Sequence, residues 1–291
     1  MIFEPIFTVA LITLAGYIAA RFVKLDLEQL SNVIVYVTGP ALSFVVLAKR
    51  QFGFSEFVII GGATLWVLAV SYVATLAYLR WSKSKARGLI ICGTFMNSSF
   101  LAFPVALLAL GEAGLGRAVV YDLFNLLLLY TLGVYMISKG NGRERMKDVL
   151  GLPFVYAALL GLAVSVSHFN VPQLVMMPLE TLGNATIPLA LVMIGVKLAT
   201  LKARHVKDSL AVALIRMLGG FGAGWLFVSA LGVKGIVAQA IILTSSMPPA
   251  VTTYVFNQKF KASPDEAASA VFFGTLLSFI FLFFVLSFIG A

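Results

Sequence analysis

Ten apolar runs, nearly all long enough to cross a bilayer, constrain this 291-residue chain more than any other feature. They fall at about 2–20, 30–48, 57–79, 89–110, 118–137, 152–167, 178–198, 210–230, 236–256 and 267–289, the sixth being short. A spanning helix needs about 20 mostly apolar residues, and inside hydrocarbon it must satisfy its own backbone polar groups. The connections are too short to hold a further soluble domain. The runs therefore predict an all-α integral membrane protein with ten transmembrane helices. Only 11% of residues are charged and 60% are hydrophobic, whereas a soluble domain carries about a quarter charged residues. The polar stretch SKGNGRERMKDVLG at 138–151 reads as a linker between two five-span halves, 1–137 and 152–291. The opening MIFEPIF lacks the basic n-region of a cleaved signal, so the first run reads as a span.

A net charge of +9 raises nucleic acid as a partner, but the placement of the charge argues against it. When the connections are assigned alternately to two sides, sixteen of the 21 Lys and Arg residues fall on one side, including Arg80, Lys83, Lys85 and Arg87. The other side holds Lys49, Arg50, Arg117 and Lys234, and Arg216 lies within a span. This is the positive-inside bias. It orients a multi-pass protein of the cell membrane with both termini outside the cytoplasm, its basic residues meeting anionic lipid headgroups. No cofactor, metal or enzymatic site is expected. Cys92 is the single cysteine and reads as a small buried apolar residue, and His168 and His205 sit in connections on opposite sides. GEAGLGR at 111–117 lacks the strand and spacing of a nucleotide loop and reads as a turn.

The two halves resemble each other. Pro5 and Pro153, Ala10 and Ala158, Leu14 and Leu162, and Pro40 and Pro188 are each 148 positions apart. Gly88 and Gly235, Ser98 and Ser245, and Ser99 and Ser246 are each 147 apart, so a gap of one residue carries the register. Five spans per half is an odd number, which makes the repeat inverted. Inverted repeats mark secondary transporters, whose sites lie near the midplane in interrupted helices.

The repeat pairs NSSFLAFP (97–104) in the fourth run with TSSMPPAV (244–251) in the ninth. Proline removes a backbone donor and blocks the carbonyl four residues earlier. Pro104 is expected to free the carbonyl of Phe100, and Pro248 and Pro249 those of Thr244 and Ser245. Such backbone survives at membrane depth only against protein or water, and Asn97, Ser98, Ser99, Thr244, Ser245 and Ser246 supply compensating polar groups. Interrupted helices also present amide ends with partial positive charge, which suit a carboxylate.

NSSFLAFPVALLALGEAG, NATIPLALVMIGVKLA and MPPAVTTYVFNQKF resemble the signature segments of the auxin efflux carrier family, within the bile-acid-transporter-like superfamily. The resemblance covers essentially the whole chain. It implies ten helices with crossed broken helices 4 and 9, and an elevator movement. Spans 1, 2, 6 and 7 would form a scaffold, and 3–5 with 8–10 a moving transport domain, in a homodimer held by the scaffold. It also implies substrates such as malate- or malonate-like anions. Two departures stand out. Ser98 and Ser99 stand where members often carry glycine, and Thr252 and Thr253 where many have an Asn.

The expected function is a secondary transporter of small organic anions. Asn97, Ser98, Ser99, Phe100, Pro104, Ser245, Ser246, Met247, Pro248 and Pro249 form the expected substrate site. Asp122, near the outer end of the fifth run with Asn125 on its face, reads either as a proton or cation site or as an interfacial carboxylate or the partner of a nearby base. Arg216 reads either as an attractor of anions or as a brace with a helix-terminal carbonyl or carboxylate as its partner. Glu180 reads as interfacial, and Lys49 as snorkelling. Coupling to a proton or to sodium is left open. Rival readings are a sodium-coupled symporter or cation/proton antiporter on the same architecture, and a receptor that binds without transporting. The antiporter would call for paired carboxylates at the crossover, which the sequence lacks.

Overall fold

The computed structural model describes residues 3–23, 25–49, 53–137, 151, 153–167, 169–201 and 206–291. Most of the expected linker, and Lys24, Arg50, His168, Lys202, Arg204 and His205, lie outside them. We name the helices α1 (Phe3–Phe22), α2 (Gln29–Ala48), α3 (Phe54–Trp81), α4 (Leu89–Thr94), α5 (Ala102–Ile137), α6 (Pro153–Ser167), α7 (Gln173–Thr200), α8 (Val206–Ala230), α9 (Gly235–Ser245), α10 (Val251–Lys259) and α11 (Pro264–Ile289). The only β feature among the described residues is one isolated bridge.

Seven of these helices (α1, α2, α3, α5, α7, α8 and α11) are long and apolar enough to cross a membrane. The expected ten runs differ from this for local reasons. The fourth run is interrupted after Thr94 and the ninth after Ser245, so neither yields one long helix. The second part of the fourth run continues into the fifth as α5, across a non-helical Gly111 with φ 67° and ψ −170°. That positive φ is a conformation in which a side chain is disfavoured. The sixth run gives the 15-residue α6, as its length foretold.

Two packing groups share the core. In one, α1 lies along the C-terminal part of α7, and α2 packs on α6 and α7. The α1–α7 contact is close because Gly16 faces the backbone of Val192, where an added Cβ would stand 2.8 Å from Val192 Cα. In the other, α3, α4, α5 and α8–α11 pack on one another, with α9 along α5 and α8 against α11. α5 also touches α1, α2, α6 and α7, so it is the seam between the groups. Outward faces carry large apolar side chains such as Phe7, Leu11, Leu160 and Phe283, each about half exposed or more. In water such surface is anomalous; against lipid tails it is required.

Candidate functional site

The two interruptions meet. After Thr94 the chain turns extended at Phe95, and after Ser246 it runs through Pro248 and Pro249 to an extended Ala250. The two links lie antiparallel, with Met96 bridged to Pro249. The Asn97 amide donates to the Pro248 carbonyl at 2.8 Å, and the Ala250 amide donates to the Phe95 carbonyl at 3.1 Å. Each link thus satisfies backbone groups that its own broken helix leaves free. Proline suits this arrangement because Pro248 and Pro249 have no N–H to strand. Gly274 on α11 lets the prolines fit, since an added Cβ there would stand 2.5 Å from Pro249 Cδ.

The prolines act somewhat differently from the sequence expectation. Pro104 does not kink a continuous helix; it stands in the first turn of α5, where a missing N–H is tolerated. The Thr244 carbonyl accepts from the Met247 amide at 3.3 Å. The Ser245 carbonyl is indeed turned to another partner, the Arg216 guanidinium.

Arg216 is fully buried and joins three elements. Its Nη1 donates to Ser71 Oγ of α3 at 2.7 Å and to the Thr94 carbonyl at 2.8 Å, and its Nη2 donates to the Ser245 carbonyl at 2.8 Å. Thr94 and Ser245 end α4 and α9, so a single cation caps the negative ends of two half-helices. Gly220, one turn on, leaves the room: a Cβ there would collide with the guanidinium and the Ser245 carbonyl. The sequence left Arg216 as an attractor of anions or a brace; the partners it has here are a serine hydroxyl and two helix-terminal carbonyls.

On the other side of the links a carboxylate is buried. Asp122 is 1% exposed. Its Oδ1 accepts from Ser98 Oγ at 2.5 Å and from Ser99 Oγ at 3.2 Å. Asn125 donates through Nδ2 to Ser98 Oγ at 2.6 Å and to the Met96 carbonyl at 3.1 Å. The fold therefore draws Asp122 to the interruption itself, and the interfacial reading does not describe it. Tyr121, one residue earlier, faces the second link, its hydroxyl 3.1 Å from Ser245 Oγ. Since Ser245 Oγ already donates to the Ile241 carbonyl at 2.6 Å, Tyr121 is the donor.

A cavity of about 50 Å³ opens beside the links. Asn97, Ser99, Phe100, Asp122 and Asn125 line it, with Met96, Phe103, Leu126, Tyr130, Ala250 and Thr252. The other packing group closes it with Ile34, Val35 and Gly39 of α2, Phe154 of α6 and Thr186 of α7. Ser98, Pro104, Ser245, Ser246, Met247, Pro248 and Pro249 are buried in the framework behind the cavity rather than in its wall. Thr186, Ile34 and Phe154 were not anticipated, because apolar or hydroxyl residues inside apolar runs carry no local signal. Thr186 is nonetheless the 148-residue partner of Thr38, and the hydroxyls of both are buried without a hydrogen-bond partner. Lys49 does not simply snorkel: its Nζ pairs with Glu180 at 2.9 Å across α2 and α7.

The sequence matches the profile of a membrane transport protein family over residues 1–149 and 145–286. It is 30% identical to an uncharacterized transporter of Methanothermobacter thermautotrophicus, over 96% of this chain and 95% of the relative. It is 25% identical to a "Putative malonate transporter" of Rhizobium meliloti, over 90% of this chain and 88% of that one. Auxin efflux carrier component 2 of Oryza sativa subsp. japonica shares 24% identity over 43% of this chain and 21% of its own length. These relatives are named as transporters, and none as an enzyme. With a profile matched along nearly its whole length, the chain belongs to the membrane transport protein family that includes the auxin efflux carriers.

Proposed function

We propose that this transporter is a secondary carrier of small organic anions and that the cavity beside the two links is its substrate site. The observation that carries the reading is the side-chain nitrogen Nδ2 of Asn97, buried on the cavity wall without a hydrogen-bond partner, beside the start of two half-helices. An anion is the natural complement of an unpaired donor at helix N-termini. Phe100 and Phe103 supply the apolar contact that a small carboxylate's carbon skeleton needs. The name of the Rhizobium relative supports a carboxylate as the first substrate to test.

In this reading the halves 1–137 and 152–291 are inverted repeats and the ten runs are ten spans. The group of α1, α2, α6 and α7 is the scaffold of a homodimer, and α3–α5 with α8–α11 moves against it as an elevator. The packing of α5 at the seam supports it, as does a cavity walled by both groups. The orientation is the one set by the basic connections, with both termini outside the cytoplasm.

Counterflow of radiolabelled malonate in proteoliposomes tests the reading and separates a carrier from a receptor, which binds without exchange. Asn97→Ala should lower counterflow more than tenfold while leaving the detergent-solubilised protein folded by size exclusion and thermal melting. Wild-type exchange by a folded Asn97→Ala protein would sink the assignment of the site.

A further inference from the structure

Besides Asn97 Nδ2 and the Thr186 hydroxyl, two buried atoms in residues of the cavity wall lack hydrogen-bond partners, and both are pure acceptors: Asp122 Oδ2 and Asn125 Oδ1. The orientation of Asn125 follows from its bonds. Only its NH2 can donate to the Met96 carbonyl, so its oxygen faces away from the links. Asp122 and Asn125 are three residues apart on α5 and share a face. Folded proteins rarely leave such groups unpaired, and a buried carboxylate without a counter-charge is costlier still.

Among the described residues no counter-charge pairs with Asp122: Lys49 is paired with Glu180 and Arg117 with Glu56. Arg216 is engaged with Ser71, Thr94 and Ser245. Facing the cavity are Ile34, Val35 and Gly39 from α2, Phe154 from α6, Thr186 from α7, and Ala250 and Thr252 from the second link and α10. None of these titrates, and on α5 itself Tyr130 is the other titratable group in the wall. A substrate carboxylate entering this cavity therefore meets an uncompensated like charge, an arrangement in which two carboxylates cannot both stay ionised.

We infer that Asp122 is a proton-coupling carboxylate: an organic anion occupies the cavity with a proton on Asp122, and the two cross the membrane together. The inference rests on the anion reading above and adds its coupling. The proton arrives from the aqueous side to which the cavity is open and bonds to Oδ2. It cancels the charge of Asp122 and turns an unpaired acceptor into an O–H donor for the substrate carboxylate, a charge-assisted bond. On the far side the anion leaves first and the proton follows it into water. Ser98 and Ser99 hold Oδ1 and so leave Oδ2 as the oxygen free for substrate.

The test uses purified protein in sodium-free proteoliposomes, with labelled malonate and the membrane potential clamped by potassium and valinomycin. An imposed gradient of one pH unit, acid outside, should drive accumulation toward about tenfold, where the proton gradient balances the anion gradient at one proton per anion. A trapped pH dye should report proton entry that requires external malonate. In Asp122→Asn the pH-driven accumulation should collapse to a ratio near one, and counterflow should lose its pH dependence. The wild-type measurement stands alone if that variant fails to fold. The inference is overturned if wild-type counterflow proceeds without pH-driven accumulation, if a sodium gradient drives uptake in place of the pH gradient, or if Asp122→Asn still accumulates malonate on a pH gradient. Absence of wild-type counterflow with malonate and with a panel of mono- and dicarboxylates would instead remove the anion reading, and this inference with it.

Discussion

Arg216 shows how one residue can hold a discontinuous fold together. A buried guanidinium is costly unless its donors are taken; here three oxygens accept from Nη1 and Nη2 at 2.7–2.8 Å, and Nε alone is left without a partner. Two of those oxygens are the terminal carbonyls of α4 and α9, which otherwise point their partial negative charge at each other's neighbourhood. The planar fork of arginine spans both ends at once, and the point charge of lysine does not. Hydrogen bonds to a charged group contribute about 1.5–3 kcal/mol each, so removing three is severe. Arg216→Met should lower the thermal midpoint by well over 5 °C in detergent, and Arg216→Lys should recover only a minor part. A lysine variant with the wild-type midpoint would show that the brace needs charge alone.

The helices obey simpler rules, and the glycines show where close approach replaces side-chain packing. Without a strong hydrophobic drive between helices in lipid, close backbone contact supplies the adhesion. At the α1–α7 seam an added Cβ on Gly195 would stand 2.6 Å from the Tyr17 nitrogen, with no flexible side chain to yield. Gly195→Val should therefore cost about 1–3 kcal/mol through overpacking, read as a lowered melting midpoint. Gly62→Val is the control, because only the tip of the Phe227 ring lies near the added Cβ, at 3.6 Å. Equal stability of the two variants would contradict the close seam. Elements of this kind were legible in the sequence to different degrees. NSSFLAFP and TSSMPPAV announced both interruptions, since proline and clustered hydroxyls are locally anomalous in an apolar run. Ordinary-looking residues gave no such sign. The approach of Asp122 to Ser98 spans 24 positions and depends on how α5 folds back through Gly111. The closure of the cavity by Ile34, Phe154 and Thr186 depends on the packing of helices remote in sequence, which periodicity does not encode. Arg216 could be narrowed to two roles but not assigned, because its partners are main-chain carbonyls, which every residue possesses.

At the scale of the whole molecule, two cavities follow one another along the same seam. The first, beside the links, is lined on α2 by Ile34, Val35 and Gly39. The second, of about 490 Å³, is lined on α2 by Leu42, Val45, Val46 and Lys49, on α5 by Leu107, Glu112 and Leu115, and on α7 by residues from Glu180 to Pro188. About one helical turn separates them on α2, between Gly39 and Leu42, too little for a thick permanent wall. A path interrupted this briefly opens if one group slides along the other, and it stays shut if the groups are tied. Val46 on α2 and Leu107 on α5 line the second cavity from opposite groups, which makes them the place to tie. In a Cys92→Ala background, Val46→Cys with Leu107→Cys should give a transporter that works until it is bridged by a reducible bismaleimide. Bridging should then reduce malonate counterflow at least tenfold, leave the malonate-induced thermal shift in place, and be reversed by reductant. Undiminished counterflow at complete bridging would show that no sliding of α5 past α2 is needed, and the elevator reading would have to give way to a local gate.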